Sequence, residues 1–175
     1  MTYLASLSRA AALAGLLLAG AAAAAPAYAA PADVALLKSY IGEWRGRGVL
    51  EGANSESVVC RLSLSDGNQD QVVYKGRCTL AGSQLSVAGT LIYAEASKRF
   101  EAAMSSNAAF TGVAIGQKRG NNLVFDLRER EKDDEGKEFS IQAQILLGSD
   151  AIQVTFDITY VESGDTMQAA VPFTR

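Results

Sequence analysis

The chain has 175 residues and contains no histidine. Because imidazole is the general base of Ser-His-Asp and Cys-His sites, neither arrangement can form. Zinc bound by histidine, haem held by a proximal histidine and a histidine pH switch are excluded as well. Acid–base catalysis would depend on carboxylates or tyrosine. The strand pattern described below shows no close pair of inward-facing carboxylates, so we expect a protein that is not an enzyme.

Cysteine is also scarce, with only Cys60 and Cys78 in the chain. Two thiolate ligands alone make a poor metal site, so we expect no bound metal and no cofactor. In an exported protein an even number of cysteines indicates a disulfide. The alternative is a pair of reactive or metal-binding thiols.

Charge is low and slightly negative, with 16 Lys and Arg against 19 Asp and Glu and a net charge of −3. This balance disfavours nucleic acid and anionic membrane surfaces as main partners. The acidic residues are densest around 129–135, where cations lie between them. The spacing of a calcium-binding loop is absent there, so we interpret the segment as a solvated hairpin.

Residues 1–29 have the pattern of a bacterial signal peptide. Arg9 supplies the positive start, 10–25 is a run of small and apolar residues, and Ala27 and Ala29 give the small residues that signal peptidase recognises. A retained membrane anchor is the alternative, but the run is alanine-rich and short for a span of about 20 strongly apolar residues. We therefore expect a periplasmic or secreted protein whose single mature domain is 30–175.

A short amphipathic helix is predicted directly after the leader, over 33–42. Pro31 stops any helix upstream, Asp33 can cap the N-terminus, and Gly42 suits the left-handed position after the last turn. About two and a half turns are marginally stable alone, so this helix must pack on an apolar surface.

From residue 43 onward the pattern has a period of two, and short turn signals separate ten candidate strands. The predicted strands are 43–51, 56–64, 71–81, 84–94, 98–105, 109–118, 122–131, 137–147, 151–161 and 166–174. No connection is long enough for a crossover helix, so neighbouring strands should pair antiparallel. In strand 109–118 the facing is ambiguous, since Val113 and Ile115 oppose Phe110 and Ala114.

Each remaining strand has one apolar face. Closing the sheet on itself buries that face and removes the exposed edges. The sequence therefore predicts an all-β fold: an antiparallel up-and-down meander barrel of about ten strands with one short N-terminal helix. A barrel of this size leaves interior room for a ligand. Inward-facing glycines, such as Gly46, Gly76 and Gly89, either enlarge that room or mark bends in the sheet.

The two cysteines fit the predicted hairpin at 66–70. Cys60 and Cys78 are equally far from its centre, so they lie opposite each other on the same face. Residues opposed in this way are close enough to form a disulfide when they make a non-hydrogen-bonded pair. Such a bond would join the two strands.

The segment Gly42-Glu43-Trp44, between the helix and the meander, resembles the opening of the calycins, which include lipocalins, fatty-acid-binding proteins and nitrobindin-like barrels. The stretch 41–48 is most similar to nitrobindin-like bacterial barrels. In calycins this tryptophan closes one barrel end, and a basic residue from near the chain end packs across it. The resemblance implies that Gly42, Trp44 and Arg175 close the barrel. Haem binding through histidine does not carry over.

Five aromatic side chains on the inward face are the candidate ligand contacts. They are Tyr74, Tyr93, Phe125, Phe156 and Tyr160. Tyrosine hydroxyls could orient a ligand's polar group, and the alternative is that they bond to neighbouring backbone. We expect a small lipophilic ligand in the barrel interior.

Two other kinds of protein have the same strand pattern. The first is a ligand-free envelope protein with a structural or partner-binding role. The second is a small outer-membrane barrel, which should show aromatic girdles and a terminal aromatic residue. The chain instead has one tryptophan, Pro172 in the last strand and Arg175 at its end. We therefore expect no integral membrane insertion and no nucleic-acid partner.

Overall fold

The computed structural model describes residues 31–80, 82–107, 111–133 and 135–175. The predicted signal peptide, 1–29, lies outside the described residues. One helix, α1 (Pro31–Ser39), precedes ten strands. The strands are β1 (Gly42–Glu51), β2 (Glu56–Asp66), β3 (Val72–Leu80), β4 (Ser83–Ala94), β5 (Arg99–Ser106), β6 (Thr111–Arg119), β7 (Asn122–Lys132), β8 (Glu138–Leu147), β9 (Ile152–Tyr160) and β10 (Thr166–Thr174).

Each strand pairs antiparallel with the next strand in the chain, and β1 pairs with β10 to close the barrel. This confirms the prediction of an antiparallel up-and-down barrel of ten strands with one short helix. The predicted strand bounds agree with the structure to within about two residues. The agreement follows from the one-sided alternation, because a shift of one residue would turn every apolar side chain outward.

The ends of α1 differ from the prediction. The helix begins at Pro31, so Asp33 lies in its first turn and forms an ion pair with Lys118 at 3.6 Å. The helix stops at Ser39, and Gly42 is already the first residue of β1 with φ +149°. Gly42 is therefore not a left-handed helix cap, although its backbone conformation still favours glycine.

The facing of β6 is settled by its neighbours. Gly116 lies opposite Phe100 on β5 and Phe125 on β7. Ala114 and Gly116 are buried, while Val113 is 51% exposed. A Cβ atom at Gly116 would lie 2.5 Å from the ring of Phe125, so this inward position has no room for a larger residue.

Two other inward glycines are covered in the same way, whereas a Cβ atom at Gly76 would meet the side chain of Val87 at 2.7 Å. A Cβ atom at Gly46 would lie 2.8 Å from the ring of Phe173, and one at Gly89 would lie 2.7 Å from the hydroxyl of Tyr74. At these positions the space left by glycine is filled by a neighbouring aromatic ring. It is therefore not available to a ligand.

The predicted disulfide is confirmed. Cys60 and Cys78 are direct cross-strand partners on β2 and β3, and their sulfurs are bonded. Their Cα atoms are 4.1 Å apart, the close spacing of a non-hydrogen-bonded pair. The bond lies on the inward face, where Cys60 is 2% exposed.

Within the described residues, no helix is long and apolar enough to cross a membrane.

Candidate functional site

The barrel has two unlike ends. We call the end at α1 the helix end; it also holds the turns β2–β3, β4–β5, β6–β7 and β8–β9 and the C-terminal residue. The opposite end, formed by the turns β1–β2, β3–β4, β5–β6, β7–β8 and β9–β10, is called the open end. The candidate site depends on the contrast between them.

Trp44 lies at the helix end. Its ring is fully buried, and its indole N–H donates a hydrogen bond to the carbonyl of Tyr40 at 3.0 Å. The guanidinium carbon of Arg175 lies 4.5 Å from the ring centroid, and an N–H of Arg175 donates to the carbonyl of Ser39 at 2.8 Å. A Cβ atom at Gly42 would lie 3.9 Å from Nε of Arg175. The three residues predicted to close the barrel are thus together at this end.

Helix α1 is attached to the barrel rim by polar contacts. Lys38 lies 3.2 Å from carboxylate oxygens of both Asp66 and Asp70, and this raises the pKa of Lys38. The hydroxyl of Tyr40 donates to the carbonyl of Asn121 at 3.0 Å, and burial raises the pKa of Tyr40. These contacts hold α1 against the β2–β3 and β6–β7 turns. These contacts therefore fix α1 across the helix end of the barrel.

The barrel interior next to α1 is filled by side chains. Its most buried members are Leu64, Val72, Phe100, Leu123, Phe125 and Ile152, all at most 3% exposed. Apolar side chains packed to this degree leave little space for another molecule. This half of the barrel is a core.

The interior towards the open end differs, because most of its inward-facing apolar side chains are only half-buried, although Val58 there is 2% exposed. The half-buried side chains are Leu50, Leu80, Val87, Met104, Phe139, Ile141, Phe156, Ile158, Tyr160 and Met167. Side chains that point into a closed barrel have little access to solvent through the wall. We infer that solvent reaches them through the open end, so this half presents an accessible apolar surface.

The predicted ligand contacts divide between the two halves. Tyr74 and Phe125 are in the packed half, and the hydroxyl of Tyr74 donates to the carbonyl of Ala103 at 2.9 Å. Burial raises the pKa of Tyr74. This is the backbone-bonded arrangement that the sequence left open as an alternative. Phe156 and Tyr160 lie in the accessible half, where Tyr160 contacts Phe139 with ring centroids 5.8 Å apart.

Tyr93 lies apart from the other four, near the helix end. Its ring meets that of Phe100 edge to face at 5.0 Å. It lines a surface groove of about 580 Å³ together with Asp33 and Lys98. Desolvation, followed by the nearby carboxylates of Asp33 and Glu95, raises the pKa of Tyr93. Contact between a ligand and any of the five aromatic residues stays a prediction.

Two carboxylates of the segment interpreted as a solvated hairpin face the interior instead, so the prediction that the inward face carries no neighbouring carboxylates is wrong. Glu129 pairs with Ile141, and Glu131 pairs with Phe139, so both share the inward face of the open half and are half-buried. An oxygen of Glu129 would lie 3.5 Å from a Cβ atom at Gly112. Extending the alternation of inward residues along β7 by two steps would have found them.

The hairpin itself starts one residue after β7. Asp133 accepts hydrogen bonds from the backbone N–H groups of Glu135 and Lys137 at 3.0 and 2.8 Å. Lys137 also pairs with Glu135. This turn is solvated, as expected. In the part of the chain that the structure describes, no group of three or more cysteine or acidic residues is placed to hold a metal ion.

The sequence itself matches no protein family model and no curated protein. Among solved structures, the barrel is similar to Rv2717c from M. tuberculosis, with a TM-score of 0.64 and 13% identity over 81% of this chain and 96% of that chain. It is also similar to the S-type phycobiliprotein lyase CPES from Guillardia theta, with a TM-score of 0.54 and 8% identity over 81% of this chain and 90% of that chain. At these identities the likeness shows the fold alone. The fold they share with this chain is a β-barrel, which here is closed by ten antiparallel strands.

Proposed function

We propose that the protein is exported and binds a small lipophilic molecule inside the barrel, entering through the open end. The observation that carries this proposal is the accessible apolar interior of the open half, above a packed and capped helix half. An apolar surface open to solvent at one end and closed at the other is the form that ligand sites in barrels take. Each Å² of apolar ligand surface removed from water there contributes about 25 cal/mol to binding.

The depth of the site follows from the packing. Tyr74 and Phe125 are buried in the core, so a ligand stops before it reaches them. Phe156, Ile158 and Tyr160 lie further towards the open end and are the side chains that the ligand would contact. The predicted leader and the disulfide are both typical of an exported protein.

We also propose that the protein is not an enzyme. Histidine is absent, so no imidazole can act as a general base. Glu129 and Glu131 share the inward face, but both are half-buried, and neither forms an ion pair with another described residue. A role in ligand selectivity suits their position at the open end.

The test is a titration of protein produced from the full-length chain with a neutral lipophilic fluorophore, such as N-phenyl-1-naphthylamine. We expect saturable binding with a blue-shifted emission. The variant Ile141→Trp adds bulk to the open half and should weaken binding at least tenfold. The matched control is Gln142→Trp, because Gln142 is the next residue on β8 and faces outward. Absence of saturable binding to the native protein would refute the proposal.

A ligand-free envelope protein is the second candidate. It is favoured by the rings of Tyr74, Phe125 and Phe173, which occupy the space left by inward glycines. If this candidate is correct, the native protein will show no saturable binding of the fluorophore, and Ile141→Trp will behave in the same way. Native mass spectrometry would then show no co-purified lipid.

A further inference from the structure

Three arginines form a row across the outer surface of the barrel. Arg45 on β1 lies opposite Arg61 on β2, which in turn lies opposite Arg77 on β3. All three are exposed. Because neighbouring strands are about 4.8 Å apart, the row extends over roughly 10 Å.

Two further cations border the row. Arg47 follows Arg45 on β1 and Lys75 precedes Arg77 on β3, and both are exposed. We call these five residues the basic face: Arg45, Arg47, Arg61, Lys75 and Arg77. The carboxylates at outward positions of β1, β2 and β3 are Glu43 and Glu51, and Glu43 accepts a hydrogen bond from Ser63. The surface of these three strands is therefore positive, although the whole chain carries −3.

Glu43 lies in the same groove as Arg61, Lys75 and Arg77, but within the described part of the protein no carboxylate is at ion-pairing distance from the basic face. None of its five cations takes part in an ion pair there, whereas Lys38, Arg99 and Arg130 are each paired with a carboxylate. Like charges directly opposite each other on neighbouring strands are destabilising. An anionic partner from outside the chain would relieve this repulsion.

Exposed apolar side chains adjoin the basic face on the side of the open end. Val49 and Val59 are each 46% exposed, and Val59 lies opposite Arg47. A dissolved polyanion has no apolar surface that could be buried against these valines. A surface with anionic headgroups above an apolar layer attracts both kinds of side chain. The combination therefore favours a membrane over a dissolved anion.

We propose that the basic face docks on a membrane surface rich in anionic lipid, with the open end beside that surface. The net negative charge of the chain disfavours such a partner, but net charge is a sum over the whole barrel. The register of β1, β2 and β3 places the cations of the basic face together on one side. Docking does not require a ligand in the barrel. The proposal therefore goes beyond the proposed function and can fail or hold independently of it.

The experiment measures co-sedimentation of protein from the full-length chain with vesicles of phosphatidylcholine that contain about 30% phosphatidylglycerol. We expect binding to these vesicles, little binding to pure phosphatidylcholine, and loss of binding in 0.5 M salt because screening shortens the range of the attraction. The double variant Arg61→Glu/Arg77→Glu should lower the partition coefficient at least about tenfold.

The matched control is Arg119→Glu/Arg128→Glu, which changes the net charge by the same amount. Arg128 lies on β7, diametrically opposite β2 in the ring of ten strands, and Arg119 ends β6 beside it. We expect this control to retain vesicle binding. Equal losses in both double variants would mean that only net charge matters and would overturn the proposal. If the glutamate variant fails to fold, Arg61→Gln/Arg77→Gln replaces it.

Val49→Ser/Val59→Ser separates a membrane from a dissolved anion. We expect vesicle binding to weaken severalfold with an unchanged salt dependence. Two results would overturn the proposal: no binding of the native protein to the anionic vesicles, or binding to tripolyphosphate without any to vesicles. Retained vesicle binding in the valine variant would also refute the apolar part of the argument.

Discussion

Replacing Trp44 with alanine tests whether this residue closes the barrel. The fully buried indole donates a hydrogen bond to the carbonyl of Tyr40 and lies beneath Arg175. Truncating a buried tryptophan to alanine costs about 3–5 kcal/mol, and loss of the cation–π contact adds about 1 kcal/mol. We therefore expect Trp44→Ala to lower the free energy of unfolding by about 5 kcal/mol.

That loss is large compared with a total stability of about 5–15 kcal/mol. For a chain of this size, 1 kcal/mol shifts Tm by about 2–4 °C, so Tm should fall by roughly 10–20 °C. Thermal and urea unfolding followed by circular dichroism measure both quantities. Val113→Ala, at an exposed position, is the control and should change Tm little.

Trp44→Phe keeps an aromatic ring and removes the donor to Tyr40, so it should cost about 1–2 kcal/mol. A double-mutant cycle with Arg175→Ala isolates the coupling between the two side chains, which should be about 1 kcal/mol. A Trp44→Ala protein that keeps its full Tm would refute the closing role. A coupling energy of zero would refute the contribution of the cation–π contact.

Three other predictions concern the disulfide, pH and ligand selectivity. Replacing Cys60 and Cys78 with alanine should cost about 3 kcal/mol in urea unfolding, given their separation of 18 positions; equal stability would contradict this. Burial raises the pKa of Tyr74. Its contribution to the free energy of unfolding is therefore complete below the unfolded pKa near 10 and is lost as pH rises towards the folded pKa. Tyr74→Phe should flatten the alkaline decline, and an unchanged pH profile would refute the assignment. Glu129→Gln/Glu131→Gln should strengthen binding of a lipophilic carboxylate and leave a matching alcohol unchanged, as measured by displacement of the fluorophore.

Local pattern explains why so much of the fold was predictable. A period of two places alternate residues on opposite faces, so the apolar positions of each strand define its inward face without reference to any other strand. Short turns then leave antiparallel pairing as the only neighbouring arrangement. The disulfide follows from the same geometry, because Cys60 and Cys78 are symmetric about one hairpin.

The candidate site could be predicted less well from the sequence. The alternation places Tyr74 and Tyr160 alike on the inward face. In the structure the hydroxyl of Tyr74 donates a hydrogen bond to backbone in the core, whereas Tyr160 lies in the accessible half. Which half of the barrel an inward residue occupies depends on how side chains from several strands fill the space. Glu129 and Glu131 were interpreted as solvent-exposed because they are charged, although the alternation along β7 places them inside.

The sequence by itself determined the ten strands, the closed barrel and the disulfide pair, since alternation and turn positions are local properties. The contact between Trp44 and Arg175 was implied by the resemblance to calycins and is present in the structure. Only the tertiary structure decided that one half of the interior is filled and the other accessible, because that depends on rings from neighbouring strands covering the inward glycines. The hairpin symmetry that pairs Cys60 with Cys78 also pairs Arg61 with Arg77, and the structure shows that the row continues to Arg45 on β1.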